Sequence, residues 1–149
     1  MIQEYLIRKM TGRDLDEIMI IEMESFTLPW TRKSYENELS NQYATYMVAD
    51  YEGEVAAYGG IWVVQDEAHI TNVAVARKHR GQGIGSTLLS ALVNTARLKR
   101  ASRVFLEVRV SNEPALKLYS NQGFAPAGLR KQYYDDNNED AIIMMKILP

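Results

Sequence analysis

Residues 71–94 read TNVAVARKHRGQGIGSTLLSALVN, and the fold is decided by how this stretch is read. It begins as a strand in which Val73 and Val75 alternate with smaller residues. It breaks into a basic, glycine-rich loop, Arg77-Lys78-His79-Arg80-Gly81-Gln82-Gly83-Ile84-Gly85, and continues as a helix with Ile84, Leu88 and Leu92 on a four-residue spacing. A strand, a glycine loop and a helix N-terminus in succession suit a phosphate-bearing ligand. Amides left free in the first helical turn, together with the positive end of the helix dipole, attract anions. Small residues there let the backbone come close to the ligand.

Before this stretch, residues 3–10 read as a short strand, Gln3 to Met10. Thr11-Gly12-Arg13-Asp14 has the form of a capping box for a helix from Asp14 to about Ser25, with Leu15, Ile18 and Ile21 at helical spacing. Pro29 disfavours helix at Leu28, and Thr31 caps a second short helix that ends at Leu39. Strands at Tyr43 to Asp50, Glu54 to Val64 and Glu67 to Ala76, joined by tight turns, form an antiparallel meander. The central helix runs from about Gly83 to Lys99. After it, Arg103 to Val110 is the most β-prone segment. Asn112-Glu113-Pro114 opens a helix to Asn121 that Gly123 ends. Two strands close the chain, about Phe124 to Tyr134 and Asp140 to Leu148. The order β-α-α-β-β-β-α-β-α-β-β predicts a single α/β domain over residues 1–149, with a mixed, mostly antiparallel twisted sheet.

A chain of 149 residues, 46% hydrophobic and 24% charged, is large enough to bury a core as one soluble domain. It has no cysteine and two histidines, so disulfides, a thiol nucleophile and a thiolate or His-rich metal centre are not expected. A net charge of −2 argues against nucleic acid as a partner. No apolar run approaches a membrane span, and the N-terminus lacks a signal-peptide pattern. A cytoplasmic monomer or weak oligomer is the default expectation.

The glycine spacing excludes two nucleotide loops. A P-loop needs Gly five positions after the first, and those positions hold Ser86 and Leu88. The dinucleotide fingerprint places its third glycine one residue later than Gly85. Arg80-x-x-Gly83-x-Gly85 after Val73-Ala74-Val75 instead resembles the acyl-CoA signature of the GNAT superfamily of N-acetyltransferases. Leu106 to Asn112, Ala115 to Tyr119, Gly123-Phe124, Pro29-Trp30-Thr31, Tyr133-Tyr134 and Glu139 to Met144 look like the bacterial ribosomal-protein-alanine (RimI-like) enzymes. The resemblance spans nearly the whole chain. It implies that Arg80, Gly81, Gln82, Gly83, Ile84, Gly85 and Ser86 hold the pyrophosphate of acetyl-CoA, and that Val73, Ala74 and Val75 pair with its pantetheine arm.

The implied reaction moves acetyl from acetyl-CoA to a protein α-amino group by direct attack in a ternary complex. The implied acceptor is the N-terminal alanine of a small-subunit ribosomal protein. A broader N-terminal or small-amine acetyltransferase, and a silent acyl-CoA-binding module, remain alternatives. Such chemistry needs a base for the amine, a donor to the carbonyl and a proton for the thiolate. Glu107 is a carboxylate inside an apolar strand, on the face of Phe105 and Arg109. By its pattern it is a solvated side chain, a partner of Arg109, or a base, and the resemblance implies the base. Tyr119 reads as packing, or, by the resemblance, as the acid. Asn112 reads as a helix N-cap, and the resemblance adds a pantetheine contact. The amide of Val75 is the expected carbonyl donor. Arg77, Lys78 and Arg80 flank the loop, and His79 is expected at the surface. Pro29, Trp30, Tyr133 and Tyr134 are packing or, by the resemblance, walls of a peptide groove. The acidic run Asp135 to Asp140 reads equally as a docking site for a positive N-terminus and as a hydrophilic hairpin tip.

Overall fold

The computed structural model describes residues 4–149; Gln3, the first position of the expected opening strand, lies outside them. The elements follow the expected order: β1 (Leu6–Lys9), α1 (Leu15–Ser25), α2 (Arg32–Leu39), β2 (Ala44–Tyr51), β3 (Glu54–Val64), β4 (Glu67–Val75), α3 (Ile84–Leu98), β5 (Arg103–Arg109), α4 (Glu113–Asn121), β6 (Ala125–Arg130) and β7 (Ala141–Ile147). One-turn 3₁₀ segments lie at Gly12–Asp14, directly before α1, and at Arg77–His79, before the glycine loop. Among the described residues no helix is long and apolar enough to cross a membrane.

The described strands form one sheet in the order β1-β2-β3-β4-β5-β7-β6. Every adjacent pair is antiparallel except β4 and β5, which α3 connects as a crossover. The amphipathic α3 buries Ile84, Leu88, Leu89, Leu92, Val93 and Ala96 on one face of the sheet. On the other face Leu15, Ile18 and Ile21 of α1 pack with Tyr35, Tyr46 and Tyr58. Strand β3, covered on both sides, is therefore buried along nearly its whole length.

Two irregularities shape the middle of the sheet. The β3–β4 register slips between Gly60 and Ile61, which face Asn72 and Ile70, so Thr71 is the extra residue of a bulge. Gly60 is required there, because a Cβ would lie 2.1 Å from Cε1 of the buried Tyr46 ring. Strands β4 and β5 pair only from Glu67–Arg103 to His69–Phe105. Beyond His69 they diverge, and a cleft opens between two central strands.

Strand β6 stops at Arg130, short of the expected Tyr134. Gln132 and Asn138 adopt left-handed backbone (φ 52° and 56°), which turns residues 131–140 out of the ladder. Tyr133 and Tyr134 consequently sit on a loop.

Candidate active site

The cleft between β4 and β5 is the floor of a cavity of about 760 Å³. Asn72 and Val73 line it from β4, Glu107 and Arg109 from β5, and Asn112 and Tyr119 from α4. Trp30, Tyr133 and Tyr134 also line it, whereas Pro29 does not. Of the expected strand triplet only Val73 reaches this space. The side chain of Ala74 is buried in the core beneath α1, and Val75 packs in the small apolar cluster with Ile84 and Leu88. The backbone is oriented differently from these side chains. Ala76 N–H donates to Ala56 O on β3, so strand alternation turns the Val75 amide to the opposite side, towards the open edge of β4.

The glycine loop lies beyond the strand end. Gly81 and Gly83 have φ of 78° and 79°, which L side chains rarely adopt, and Gly83 caps α3. The first bond of α3 runs from Thr87 N to Gly83 O, leaving the amides of Ile84, Gly85 and Ser86 without helical acceptors. Gly85 sits against Val75 and Leu118, where an added Cβ would meet their methyls at 3.5 and 3.7 Å. This position joins the helix start to β4 and α4. Gln122 ties α4 to the same turn, donating to Ser86 Oγ at 2.5 Å.

The flanking cations are mostly committed within the protein. Arg80 Nε donates to Val75 O at 3.0 Å and its Nη2 to Ser25 Oγ at 3.3 Å, while Lys78 pairs with Glu54. His79 corrects the expectation of a surface residue. It is 5% exposed, because the 3₁₀ turn folds it back beneath the loop, edge-on to Tyr5 and Tyr51 at 5.8 and 5.5 Å. Tyr5 in turn donates to Gln82 Oε1 at 2.7 Å, which fixes the loop's middle residue.

Glu107 is not paired with Arg109. Its Oε2 lies 2.6 Å from His69 Nε2, and its Oε1 lies 3.8 Å from Arg130 Nε. Arg109 turns to the β6–β7 loop, bonding Asp136 at 2.8 Å and lying over the Tyr134 ring at 3.9 Å. Asp136 also accepts from Thr27 of the α1–α2 loop, so the two loops are bridged across the cavity mouth. The Thr27 hydroxyl, and then Arg109, hold the Asp136 carboxyl below the usual carboxylate range. Glu139 accepts from Ser111 N at 2.7 Å and lies 3.4 Å from Arg109. The acidic run is therefore neither a free negative patch nor a plain hairpin tip, since its inward members are spent on Arg109 and backbone amides.

Asn112 is the N-cap of α4, accepting from Ala115 N at 3.2 Å, and it faces the cavity as well. Tyr119 packs edge-on to Phe124 at 6.0 Å, and burial alone pushes its hydroxyl up to about 12. That hydroxyl stays protonated throughout the neutral range.

Three site residues were not anticipated from the sequence. Glu22, 2% exposed, accepts from Tyr35 and Tyr58 hydroxyls at 2.6 Å and from Trp30 N at 2.8 Å. Burial and then Glu22 drive the Tyr35 hydroxyl far above its ordinary value. Asn72 Nδ2 donates to the same Tyr35 oxygen at 2.6 Å, linking α2 to the bulged strand. The available signal was a carboxylate in line with Leu15 and Ile18 on the apolar stripe of α1. His69 carried no such signal, because its meeting with Glu107 depends on the parallel β4–β5 register.

Comparison with known proteins fits this geometry. A sequence model described as Acetyltransferase (GNAT) family matches residues 15–124. A Bacillus subtilis (strain 168) protein, the putative [ribosomal protein bS18]-alanine N-acetyltransferase, is 49% identical over 139 residues, covering 93% of this chain and 92% of that protein. The Escherichia coli (strain K12) [ribosomal protein bS18]-alanine N-acetyltransferase is 34% identical, covering 93% and 94%. The crystal structure of the ribosomal-protein-S18-alanine N-acetyltransferase from Escherichia coli superposes with a TM-score of 0.88 at 32% identity, covering 97% of this chain and 94% of that one.

Proposed function

Because the chain belongs to the GNAT family of acetyltransferases, we propose that it moves acetyl from acetyl-CoA to a protein N-terminus, the N-terminal alanine of ribosomal protein bS18. The acceptor assignment is supported by similarity to two relatives so described, each aligned over more than nine-tenths of both chains. The observation that carries the reaction is the β4–β5 cleft, whose single cavity gathers Val73, Glu107, Asn112 and Tyr119. A ribosomal acceptor assigns the work to the cytoplasm.

Acetyl-CoA supplies a thioester that is already activated towards amines. The free amides of Ile84, Gly85 and Ser86 receive its pyrophosphate at the N-terminus of α3. Gly81, Gln82 and Gly83 bring the backbone close, and Arg80 braces the loop against the end of β4. The open edge of β4 hydrogen-bonds the pantetheine arm, with Asn112 Nδ2 as a side-chain donor. The Val75 amide donates to the thioester oxygen, where negative charge develops. Glu107 takes the proton of the acceptor ammonium, which leaves neutral nitrogen to attack the carbonyl directly. Tyr119 gives its proton to the departing sulfur. Trp30, Tyr133 and Tyr134 wall the entry for the peptide.

The test is acetyl-CoA turnover, read by mass spectrometry, on peptides that differ only in their first two residues. An Ala-initiated bS18 peptide is expected to be acetylated at its α-amino group well ahead of the others. Equal rates on polyamines would overturn the N-terminal assignment and leave a small-amine acetyltransferase. Binding of CoA with no turnover on any amine would leave a silent acyl-CoA module.

A further inference from the structure

We propose that His69 is the terminal proton acceptor of this reaction, receiving through Glu107 the proton that the acceptor ammonium loses. The inference rests on the acetyl-transfer reading and specifies its proton path.

The geometry is specific. His69 occupies the last paired position of β4, opposite Phe105, one step before the strands diverge. Its imidazole stacks on Phe105 at 4.7 Å with 22° between the planes, and Trp62 meets it at 6.3 Å. These rings hold Nε2 at 2.6 Å from Glu107 Oε2, so a proton arriving on the carboxylate is within direct reach of the imidazole. Nδ1 makes no hydrogen bond among the described residues. Both side chains line the cavity, and His69 is the more open of the two, 27% exposed against 11% for Glu107. A proton entering at Glu107 thus has a way out at the imidazole.

The chemistry requires such a partner. An α-ammonium titrates near pH 8 and an ordinary carboxylate near 4.3, about 3–4 units apart, so a lone carboxylate returns the proton thousands of times for each time it keeps it. An imidazole, ordinarily near 6.5, narrows the gap to about 1.5 units. An N–H bond of the ammonium breaks as an O–H bond forms on Glu107. That O–H then breaks as Nε2 of the neutral, Nδ1-protonated imidazole gains the hydrogen. An imidazolium–carboxylate pair results, and it discharges its proton to water at the open side. A second proton, shed by nitrogen as the C–N bond forms, replaces the one that Tyr119 gives to sulfur. One turnover therefore converts an ammonium and a thioester into an amide, a thiol and one released proton.

One charge faces this pair directly and a second stands behind Trp62. Arg130 of β6 lies 3.8 Å from Glu107 and 5.9 Å from the centre of the Tyr133 ring, and Glu38 of α2 accepts from the Trp62 indole at 3.0 Å. Arg130 stabilises the carboxylate once the proton has moved on.

The experiment is a double-mutant cycle of His69→Gln and Glu107→Gln, with kcat followed across pH and KM for acetyl-CoA measured alongside. Glutamine keeps a polar amide against Glu107 but has no titrating nitrogen. His69→Gln is expected to lower kcat about tenfold or more at pH 7, leaving KM for acetyl-CoA within about twofold, and to recover towards pH 9 as the amine deprotonates unaided. The double variant is expected to be no slower than Glu107→Gln alone, because residues acting as a unit are lost only once. Wild-type turnover in His69→Gln, a deficit constant across pH, or losses that multiply would each overturn the relay. If the glutamine variant fails to fold, His69→Asn replaces it in the same cycle. The cycle is run on whichever amine the wild-type protein turns over. Rejection of N-terminal peptides in favour of a small amine then sinks the acceptor assignment separately from the relay, and absence of turnover on every amine overturns both.

Discussion

Tyr119 and Glu22 show how one cavity uses two buried oxygen acids for different ends. Burial holds the Tyr119 hydroxyl protonated, with its value raised to about 12, and no protein acceptor among the described residues competes for its hydrogen. Tyr119→Phe is therefore expected to lower kcat about a hundredfold while calorimetric affinity for CoA stays unchanged. An unaltered kcat would remove Tyr119 from the chemistry. Glu22 accepts three hydrogen bonds at once, two from phenols and one from the Trp30 amide. Glu22→Ala strands these donors in the interior, and is expected to destabilise the fold by about 3–5 kcal/mol in denaturant titrations. Trp30 loses its anchor in that variant, so the KM for the peptide is expected to rise more than the KM for acetyl-CoA. The placements of Glu107 and Tyr119 were legible because they stand on a strand and a helix whose periods are plain, whereas the roles proposed for them came from the resemblance and not from the pattern. Glu22 and His69 were not, since each gains its role from partners on other elements.

Among the elements, the bulged pair β3–β4 controls the site. Thr71 is extruded between Asn72 and Ile70, and its hydroxyl meets the Tyr46 hydroxyl at 3.1 Å. The Tyr46 ring occupies the space a Cβ at Gly60 would need, so nothing larger than hydrogen fits there. Gly60→Ala is expected to cost about 1–3 kcal/mol by overpacking a ring that cannot move aside, read as a lower denaturation midpoint at unchanged slope. It should also lower activity, because the bulge sets where the Val73 side chain and the Val75 amide lie relative to the cleft. Wild-type stability in this variant would show that Tyr46 repacks freely. The order of the elements was legible because alternation, caps and glycines are local signals. The bulge was not, because Tyr-Gly-Gly-Ile can pair in either register until Tyr46 is placed over Gly60. The early end of β6 has a similar cause, since the two left-handed residues that turn the loop, Gln132 and Asn138, are not glycines.

At the scale of the whole molecule, the β1 edge of the sheet is fastened by charge and its centre by α3. Arg8 of β1 grips Asp14 through two hydrogen bonds of 2.9 and 2.8 Å and reaches Asp50 of β2 at 3.0 Å. Burial works against the Asp14 carboxylate, but Arg8 and the Thr11 amide outweigh it and hold the group below its ordinary value. A depressed carboxylate contributes stability that is complete above its unfolded pKa, near 3.9, and is lost as pH falls through the folded value. Melting temperature is thus expected to be flat from neutral pH down to about 5 and to drop below about 4. Asp14→Asn should lower it at neutral pH by several degrees, for a loss of about 1–3 kcal/mol, and flatten part of the acid-side fall. An acid-side slope identical to wild type would exclude Asp14 as its source.

The splay between β4 and β5 has a mechanical consequence. Three rungs and one helix join a four-stranded half of the sheet to a three-stranded half. On the proposed reading, a pantetheine arm along β4 would be in effect a borrowed strand, making hydrogen bonds that the chain leaves unmade there. Donor binding is then expected to rivet the halves together, slowing amide exchange in β5 and β7 as well as in the glycine loop at residues 81–85.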